Sequence, residues 1–218
     1  MKRACKSLDF AHSDMNIRQL SQIQKLPRVL SGSFKDKRFQ IKKLFVAVIL
    51  LMSINTFAQS DYDVSTDKKT GDLIYKGQCT FQDIEKQPSF SWLTNGASAY
   101  SPDTIAMRYL KKDLSKYQVV AFIGTWDKET HSMLPKLYKI LQITNYPMSQ
   151  YKMFGADREK ATKYVEHKIY HVSDIPTIIV IRNHQEIGRI TPATLKRNLE
   201  TDLDRIVEKD RMQREAQQ

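Results

Sequence analysis

Residues 124–132, Gly-Thr-Trp-Asp-Lys-Glu-Thr-His-Ser, carry side chains whose types could do chemistry: two carboxylates and an imidazole. Asp127, Glu129 and His131 are all possible metal ligands. They alternate, however, along the predicted first turn of a helix, where alternate positions point in different directions. They cannot converge on one ion without ligands from elsewhere, so the segment predicts no metal site.

A second pair, His167 and His171, has the four-residue spacing of helical metal ligands. The helix predicted there ends close to this pair, so we expect both rings to face solvent. The sequence contains no glycine-rich phosphate loop, Ser-His-Asp order or paired-carboxylate pattern. The whole chain contains seven glycines, which is few for a glycine-rich nucleotide-binding motif. We therefore expect neither a metal ion nor a cofactor.

Cysteine occurs at two positions, Cys5 and Cys79. Cys5 falls in an N-terminal part that we expect to be removed, which leaves Cys79 alone and excludes an internal disulfide in the mature chain. Cys79 lies in the extended-looking run Leu-Ile-Tyr-Lys-Gly-Gln-Cys-Thr-Phe. A buried, unreactive thiol is the simpler interpretation, and a reactive thiol is the alternative.

The basic charge of the chain is concentrated at its N-terminus. Residues 1–43 contain 11 Lys and Arg but only 3 Asp and Glu, so they account for +8 of the formal net charge of +11. The rest of the chain carries +3 in runs of mixed sign. A solvated surface explains this pattern better than a phosphate-binding groove, so we expect no nucleic-acid partner.

The basic front end precedes an apolar run of eleven residues, Leu44–Ile54, and then small or polar residues. This pattern is typical of a signal peptide, at 35–60, with cleavage near Ala58 to Ser60. The run is short for a membrane span, which needs roughly 20 residues. We expect an exported, periplasmic protein, with an uncleaved anchor as the alternative. The polar preface at 1–34 is uninformative about function.

Apolar periodicity predicts the elements that position the side chains named above. Residues 61–70 are expected to be a flexible lead-in. Strands are expected at 73–76, 117–124, 151–155, 177–181 and 186–190, the last two joined as a hairpin. Helices are expected after a capping pattern at Thr80 to Asp83, at 101–115 with Ile105, Tyr109 and Leu110 on one face, after residue 127 with Pro135 inside, at 159–167, and at 193–211. This order indicates parallel strands early and an antiparallel hairpin late.

From about residue 99 to 208, the chain resembles a thioredoxin-fold domain of the exported bacterial kind. The segment 119–126, Val-Val-Ala-Phe-Ile-Gly-Thr-Trp, is similar to the strand and tryptophan that precede the redox cysteines of that family. Pro135 lies where the family's helix is kinked. The segment Asp174-Ile175-Pro176-Thr177 resembles the family's cis-proline loop, and Gly188 lies in the following hairpin strand.

The resemblance implies an α/β class, with a thioredoxin-like fold of a mixed central sheet, helices on both faces and an N-terminal extension. The predicted organisation is a preface at 1–34, a signal peptide at 35–60, a lead-in and N-terminal extension at 61–98, a thioredoxin-like domain at 99–210 and a tail at 211–218.

The reactive loop departs from the family pattern. In the family's Trp-Cys-x-x-Cys motif, the first cysteine position corresponds to Asp127 and the second to Thr130. Ala121 replaces the buried acid of many thioredoxins. Neither Asp127 nor Thr130 can form a sulfur bond, so we expect no dithiol exchange and no catalytic residue here. Asp127 can instead cap the helix, with the Thr130 amide as donor.

The surface around this loop could still bind a partner, and its candidate binding residues are Trp126, Asp127, Thr130, Ile175 and Pro176. The resemblance implies that Ile175 presents its N–H and C=O outward for an extended peptide, with Trp126 and Pro176 as an apolar platform. We therefore expect a binding or structural module of the cell envelope without dithiol redox activity, contacting an extended peptide or an envelope protein. A relic loop without function is an equal alternative. A further alternative is a thiol-disulfide oxidoreductase that uses Cys79 or a partner's cysteine.

Overall fold

The computed structural model describes residues 61–217. Residues 1–60 lie outside the described residues, and with them the predicted signal peptide, the polar preface and Cys5. The interpretations of this part of the chain therefore stay predictions. No helix within 61–217 is long and apolar enough to cross a membrane.

In the described part of the chain, six strands form one mixed sheet in the order β1-β2-β4-β3-β5-β6. Strands β3 and β4 are parallel, and the other neighbouring pairs are antiparallel. The predicted α/β class with a mixed sheet is confirmed. The strands are β1 Tyr62–Thr66, β2 Leu73–Cys79, β3 Gln118–Ile123, β4 Tyr151–Gly155, β5 Thr177–Arg182 and β6 Gln185–Ile190.

The expectation of parallel strands early in the chain is right for β3 and β4 and wrong for β2, which runs antiparallel to β4. A long helical connection leads from β2 to β3, and such a connection permits either strand direction. The helices are α1 Phe81–Glu85, α2 Trp92–Ala99, α3 Thr104–Asp113, α4 Lys128–Ile143, α5 Glu166–Ile169 and α6 Leu199–Glu215.

The predicted helix at 159–167 is wrong, because only the short α5 forms there. The side chain of Asp157 accepts a hydrogen bond from the Ala161 amide at 2.8 Å. The Asp157 amide in turn donates to the Ala161 carbonyl oxygen at 3.0 Å. Lys160, between them, has a positive φ of 62°. The aspartate thus closes a turn that competes with the helix, despite the helix-like composition of the segment.

Two other helices differ from the expectation. Helix α2 is not predicted, since its sequence Trp-Leu-Thr-Asn-Gly-Ala-Ser-Ala contains residues of low helix propensity. Helix α6 begins later than residue 193, because the Asn198 side chain accepts from the Thr201 amide at 3.2 Å and fixes the N-terminus. Thr191 and Thr194 form a separate turn before it.

Strand β3 is buried on both faces, as predicted. Val119, Ala121 and Ile123 belong to the larger core, to which helices α1 to α4 and α6 contribute. Val120 and Phe122 belong to a smaller core on the other face, closed by residues of β5 and of the segment that contains α5. This burial fixes the strand in the middle of the domain and therefore fixes where its C-terminal end lies.

The predicted apolar face of α3 is only partly right. Leu110 is fully buried, together with Ala106 and Met107. Ile105 and Tyr109 are instead 61% and 47% exposed. The helix contacts α6 through a narrow stripe, and the positions at 105 and 109 lie outside it.

Residues 61–70 are not a flexible lead-in, because they include strand β1. Tyr62 pairs with Gly77, and the register continues to Thr66 opposite Leu73. Most β1 side chains are polar and exposed, so no apolar alternation reveals the strand in the sequence. Strands β1 and β2 belong to the same sheet as the rest, so the predicted domain boundary near residue 99 would divide one sheet.

Helices α2 and α4 pack closely at Gly96, where an added Cβ would lie 2.8 Å from the Cβ of Pro135. Alanine normally stabilises a helix by about 1 kcal/mol relative to glycine. We expect the opposite sign for Gly96→Ala, a loss of about 1–3 kcal/mol in the free energy of unfolding, because the two backbones must separate. Urea unfolding measures this change. Ser98→Ala, at an exposed position of α2, is the control and should be neutral or stabilising; the same result for Gly96→Ala would contradict the packing described.

Candidate functional site

The two predicted loops meet at one edge of the sheet. Phe122 of β3 pairs with Thr177 of β5 in an antiparallel register. Pro176, which precedes Thr177, therefore lies beside the C-terminal end of β3, where residues 124–127 begin. The structure thus brings the Trp126–Asp127 segment and the Ile175–Pro176 segment together, as the sequence predicts.

Asp127 is the N-cap of α4, which confirms the prediction. Its Oδ2 accepts a hydrogen bond from the Thr130 amide at 2.7 Å. Its backbone is extended, with φ −97° and ψ 131°, as N-cap residues require. Its own amide donates to the Gly124 carbonyl oxygen at 2.9 Å. The carboxylate therefore satisfies a donor at the helix N-terminus, the end at which the helix dipole favours negative charge.

Thr130 was predicted as a binding residue, but its side chain is fully buried. Its hydroxyl oxygen accepts a hydrogen bond from the Gly124 amide at 3.1 Å. This contact returns from the first turn of α4 to the end of β3, so the residue closes the loop from inside. Thr130 is a structural residue in this position and does not reach a ligand on the surface.

Thr125 and His131 connect the loop before α4 to β2 and to α4 itself, and the sequence alone does not predict these contacts. The Thr125 hydroxyl donates to the Leu73 carbonyl oxygen at 2.7 Å and accepts from the Tyr75 amide at 3.1 Å, so it ties the loop to β2. His131 Nε2 lies 2.8 Å from the Thr125 carbonyl oxygen. The His131 ring stacks on Trp92 with a centroid distance of 4.3 Å. Within residues 61–217, no group of three or more His, Cys, Asp or Glu is arranged to hold a metal ion.

Trp126 is held by contacts on its edge and on its face. Its Nε1 donates to the Ala156 carbonyl oxygen at 3.0 Å, and the guanidinium carbon of Arg158 lies 4.9 Å from the ring centroid. A Cβ on Gly124 would lie 2.9 Å from the indole, so only glycine fits beneath the ring. The predicted apolar platform is thereby reduced, because a cation covers one face of the indole.

Arg158 is itself fixed by the turn between β1 and β2. It forms ion pairs with Asp67 and, at 3.0 Å, with Asp72. Hydrogen bonds from the Lys69 amide and from Arg158 lower the pKa of Asp67. The N-terminal hairpin thus contributes directly to the surroundings of Trp126, although the sequence gives no indication of this contact.

The peptide bond between Ile175 and Pro176 is cis. Both side chains are buried, so the prediction that Pro176 forms part of an apolar platform is wrong, and Ile175 packs in the smaller core. Within residues 61–217, the backbone N–H and C=O of Ile175 make no hydrogen bond. Lys160 Nζ donates to the Ser173 carbonyl oxygen at 2.6 Å and lies 3.3 Å from the Asp174 carboxylate. The loop is therefore anchored directly before a backbone segment that makes no hydrogen bond within residues 61–217.

Asp174 is the exposed carboxylate of this loop. Hydrogen bonds from Ser173 and then from Lys160 lower its pKa. The Thr177 hydroxyl donates to the Asp174 carbonyl oxygen at 2.6 Å, which fixes the entry into β5.

Cys79 is buried, as predicted, with 3% of its surface exposed. Burial, and then the negative charge of Asp83, raises the pKa of the thiol to about 12. Cys79 pairs with Met153 in the middle of β4, whereas Gly77 pairs with Gly155 at the C-terminal end of β4. Since β4 runs parallel to β3, the thiol lies away from the C-terminal end of β3 and from residues 124–127.

His167 and His171 do not form a pair of metal ligands. His167 Nδ1 lies 2.9 Å from the Thr162 hydroxyl, and the ring is half-buried. His171 follows the end of α5 with a positive φ of 48° and is exposed. The expectation that both rings face solvent is right for His171 only.

No protein-family model and no curated protein matches the sequence. Among solved structures, the chain is similar to the oxidised form of mitochondrial thioredoxin 3 from Saccharomyces cerevisiae, with 20% identity and a TM-score of 0.31, over 52% of this chain and 98% of that chain. It is also similar to a structure from work on thiol resolution in yeast mitochondrial 1-Cys peroxiredoxin through the glutathione/thioredoxin systems, with 21% identity and a TM-score of 0.31, over 50% of this chain and 92% of that chain. Residues 61–217 have a thioredoxin-like fold. Three features of the chain itself indicate this fold: the sheet order, the proline inside α4 and the loop before β5.

The Asp127 cap can be tested by substitution. We expect Asp127→Ala to lower the free energy of unfolding by about 0.5–2 kcal/mol, because the Thr130 amide loses its acceptor. Asp127→Asn keeps a side-chain oxygen, so its free energy of unfolding should fall by only about a few tenths of a kcal/mol. Urea unfolding of both variants, with the exposed neighbour Lys128→Ala as control, measures the difference. An alanine variant as stable as the parent would show that the carboxylate does not cap the helix.

Proposed function

We propose that this chain is an exported thioredoxin-fold protein that does not perform dithiol exchange and that presents residues 173–176 to an extended peptide. The observation that carries the first part is the hydrogen-bonded Asp127 carboxylate at the head of α4. It occupies the position at which the family's reactive cysteine would lie, and it supplies a negative charge without a nucleophilic sulfur.

Thiol-disulfide exchange begins with a thiolate that attacks a disulfide sulfur. Cys79 is the alternative source of such a thiolate. Burial raises the pKa of the Cys79 thiol to about 12, so the thiol is almost entirely protonated at pH 7. Its burial also denies access to a substrate disulfide. The oxidoreductase alternative would therefore require a cysteine from a partner.

The binding part of the proposal is supported by the backbone of Ile175, which has no hydrogen-bond partner within residues 61–217. An extended peptide can pair with such a segment through its main chain, and side-chain contacts then supply selectivity. Lys160, which contacts Ser173 and Asp174, and the exposed Asp174 place both signs of charge beside this backbone. The partner that we propose is an extended segment of a protein of the cell envelope. Export is supported by the sequence of residues 35–60 alone.

The absence of dithiol exchange can be tested by insulin reduction with residues 61–218. We expect turnover equal to a buffer control with dithiothreitol, and Cys79→Ser should behave identically. A positive control comes from Asp127→Cys, which should gain a fast-reacting thiol because the helix N-terminus lowers the pKa of a cysteine there. Lys128→Cys serves as its matched neighbour. Turnover by the parent chain that disappears in Cys79→Ser would overturn this part of the proposal.

The binding part can be tested with peptides selected from a random library on residues 61–218. We expect selected peptides to shift the Ile175 amide resonance in NMR spectra. N-methylation of the peptide at one backbone position should lower affinity about tenfold, since one main-chain hydrogen bond is lost. The protein is unchanged in this comparison, so folding cannot explain the effect. Peptides that bind without shifting Ile175, or that tolerate N-methylation at every position, would rule out strand pairing there.

A further inference from the structure

Helix α3 has an outward face that mixes apolar and basic side chains. This outward face consists of Ile105, Arg108, Tyr109 and Lys112, whose i, i+3, i+4, i+7 spacing places them on one side of the helix. All four residues are exposed. The side chains that α3 buries lie on the opposite side of the helix. Packing against the core therefore does not account for the apolar side chains at 105 and 109.

The cations of α3 have no anionic partner in the described part of the chain. Arg108, Lys111 and Lys112 make no ion pair within residues 61–217. The Asp103 carboxylate accepts hydrogen bonds from two amides of the first turn, both at 2.9 Å. Asp113 is buried and pairs with a lysine outside the helix at 2.6 Å. Between these two aspartates, α3 carries three positive charges and no negative charge.

Helix α6 packs against α3, and its carboxylates are engaged elsewhere. Asp202 and Glu208 each pair with an arginine three residues further along α6, at 3.1 and 3.8 Å. Glu200 accepts a hydrogen bond from the Asp103 amide at 2.7 Å. Asp204 is half-buried, and burial raises its pKa to about 6. None of these carboxylates pairs with a cation of α3.

The composition of the outward face matches the chemistry of an anionic bilayer surface. An aliphatic side chain can insert between lipid headgroups, and a tyrosine ring places its apolar body and its hydroxyl at the boundary between lipid and water. Unpaired lysine and arginine side chains attract anionic headgroups. Ile105 and Tyr109 lie one helical turn apart, so both can reach one plane when the helix axis is parallel to it.

We propose that the outward face of α3 binds the surface of an anionic phospholipid bilayer, with the helix axis parallel to the membrane. Ile105 and Tyr109 insert at the headgroup level, and Arg108, Lys111 and Lys112 contact the anionic headgroups. The face shares no residue with the loop at 173–176, so the proposal does not depend on peptide binding. It also does not need an uncleaved anchor, because every residue involved follows the predicted cleavage region.

Binding is measured by sedimentation with lipid vesicles. Residues 61–218 are the chain to test, because they contain the whole described sheet and both cores, and because the apolar run Leu44–Ile54 would bind lipid by itself. We expect binding to vesicles of equimolar phosphatidylcholine and phosphatidylglycerol, and at least about tenfold weaker binding to phosphatidylcholine alone. Salt at about 1 M should also weaken binding, since it shortens the Debye length to about 3 Å.

Matched variants locate the charges that bind lipid. The triple substitution Arg108→Gln, Lys111→Gln and Lys112→Gln should weaken binding to the anionic vesicles at least about tenfold, because each cation near such a surface contributes several-fold. The control triple removes the same number of positive charges from exposed lysines of other elements and should retain most of the binding. This control consists of Lys128→Gln, Lys152→Gln and Lys168→Gln.

A second matched pair tests the apolar contribution. Ile105→Ser with Tyr109→Ser should weaken binding to the anionic vesicles about tenfold, because less apolar surface leaves water on binding. Ile169→Ser with Tyr164→Ser is the control and should bind like the parent. The controls are similarly exposed: Ile105 and Ile169 are 61% and 65% exposed, and Tyr109 and Tyr164 are 47% and 56% exposed.

Three outcomes would each overturn the proposal. The first is equal binding of the parent chain to anionic and neutral vesicles, or no binding to either, which would leave the face to a protein partner or to solvent. The second is an equal loss in the two charge triples, which would show that net charge alone drives association. The third is an equal effect of the two apolar pairs. All substituted side chains are exposed or partly exposed, and melting temperatures close to that of the parent should confirm that each variant is folded.

Discussion

The C-terminal end of β3 is the constraint on which the arrangement of the loop depends. A strand buried on both faces ends at backbone groups that water does not reach, and each of them needs a partner inside the protein. Thr130 supplies the acceptor for the Gly124 amide, and Asp127 supplies the acceptor for the Thr130 amide. Thr125 then joins the loop to β2. Oxygen-bearing side chains therefore hold the strand-to-helix junction together.

The N-terminal hairpin extends this junction. Arg158 links the acidic turn between β1 and β2 to the face of Trp126. Trp126 in turn bonds to the carbonyl oxygen of Ala156, directly after β4. Two separate parts of the chain thus hold one side chain: the segment 156–158 contacts it directly, and the turn between β1 and β2 acts through Arg158. Residues 119–130 alone would leave the indole open. The many contacts of Trp126 contrast with the backbone of Ile175 on the neighbouring loop, which makes no hydrogen bond within residues 61–217.

The sequence predicts those parts of the fold in which local pattern and tertiary burial agree. Strand β3 has a continuous apolar run, and Asp127 stands directly before a periodic helix, so both are predictable. The sequence does not predict strand β1, because this polar edge strand is defined by its backbone pairing with β2. Its side chains therefore show no apolar alternation. The segment 159–167 has helical composition, but Asp157 closes a turn over its first residues. The Arg158–Trp126 contact joins residues that are distant in sequence, and no local signal encodes it.

Strand β1 also affects the solubility of the domain. It covers the outer edge of β2, a strand whose residues Leu73, Ile74 and Tyr75 would otherwise present an apolar, unpaired backbone edge. Its own outer edge carries Asp63, which pairs with Lys163 at 3.0 Å. Charged side chains on an outermost strand discourage pairing between copies of a protein. The polar composition that conceals β1 in the sequence is thus the property that protects the sheet from intermolecular aggregation.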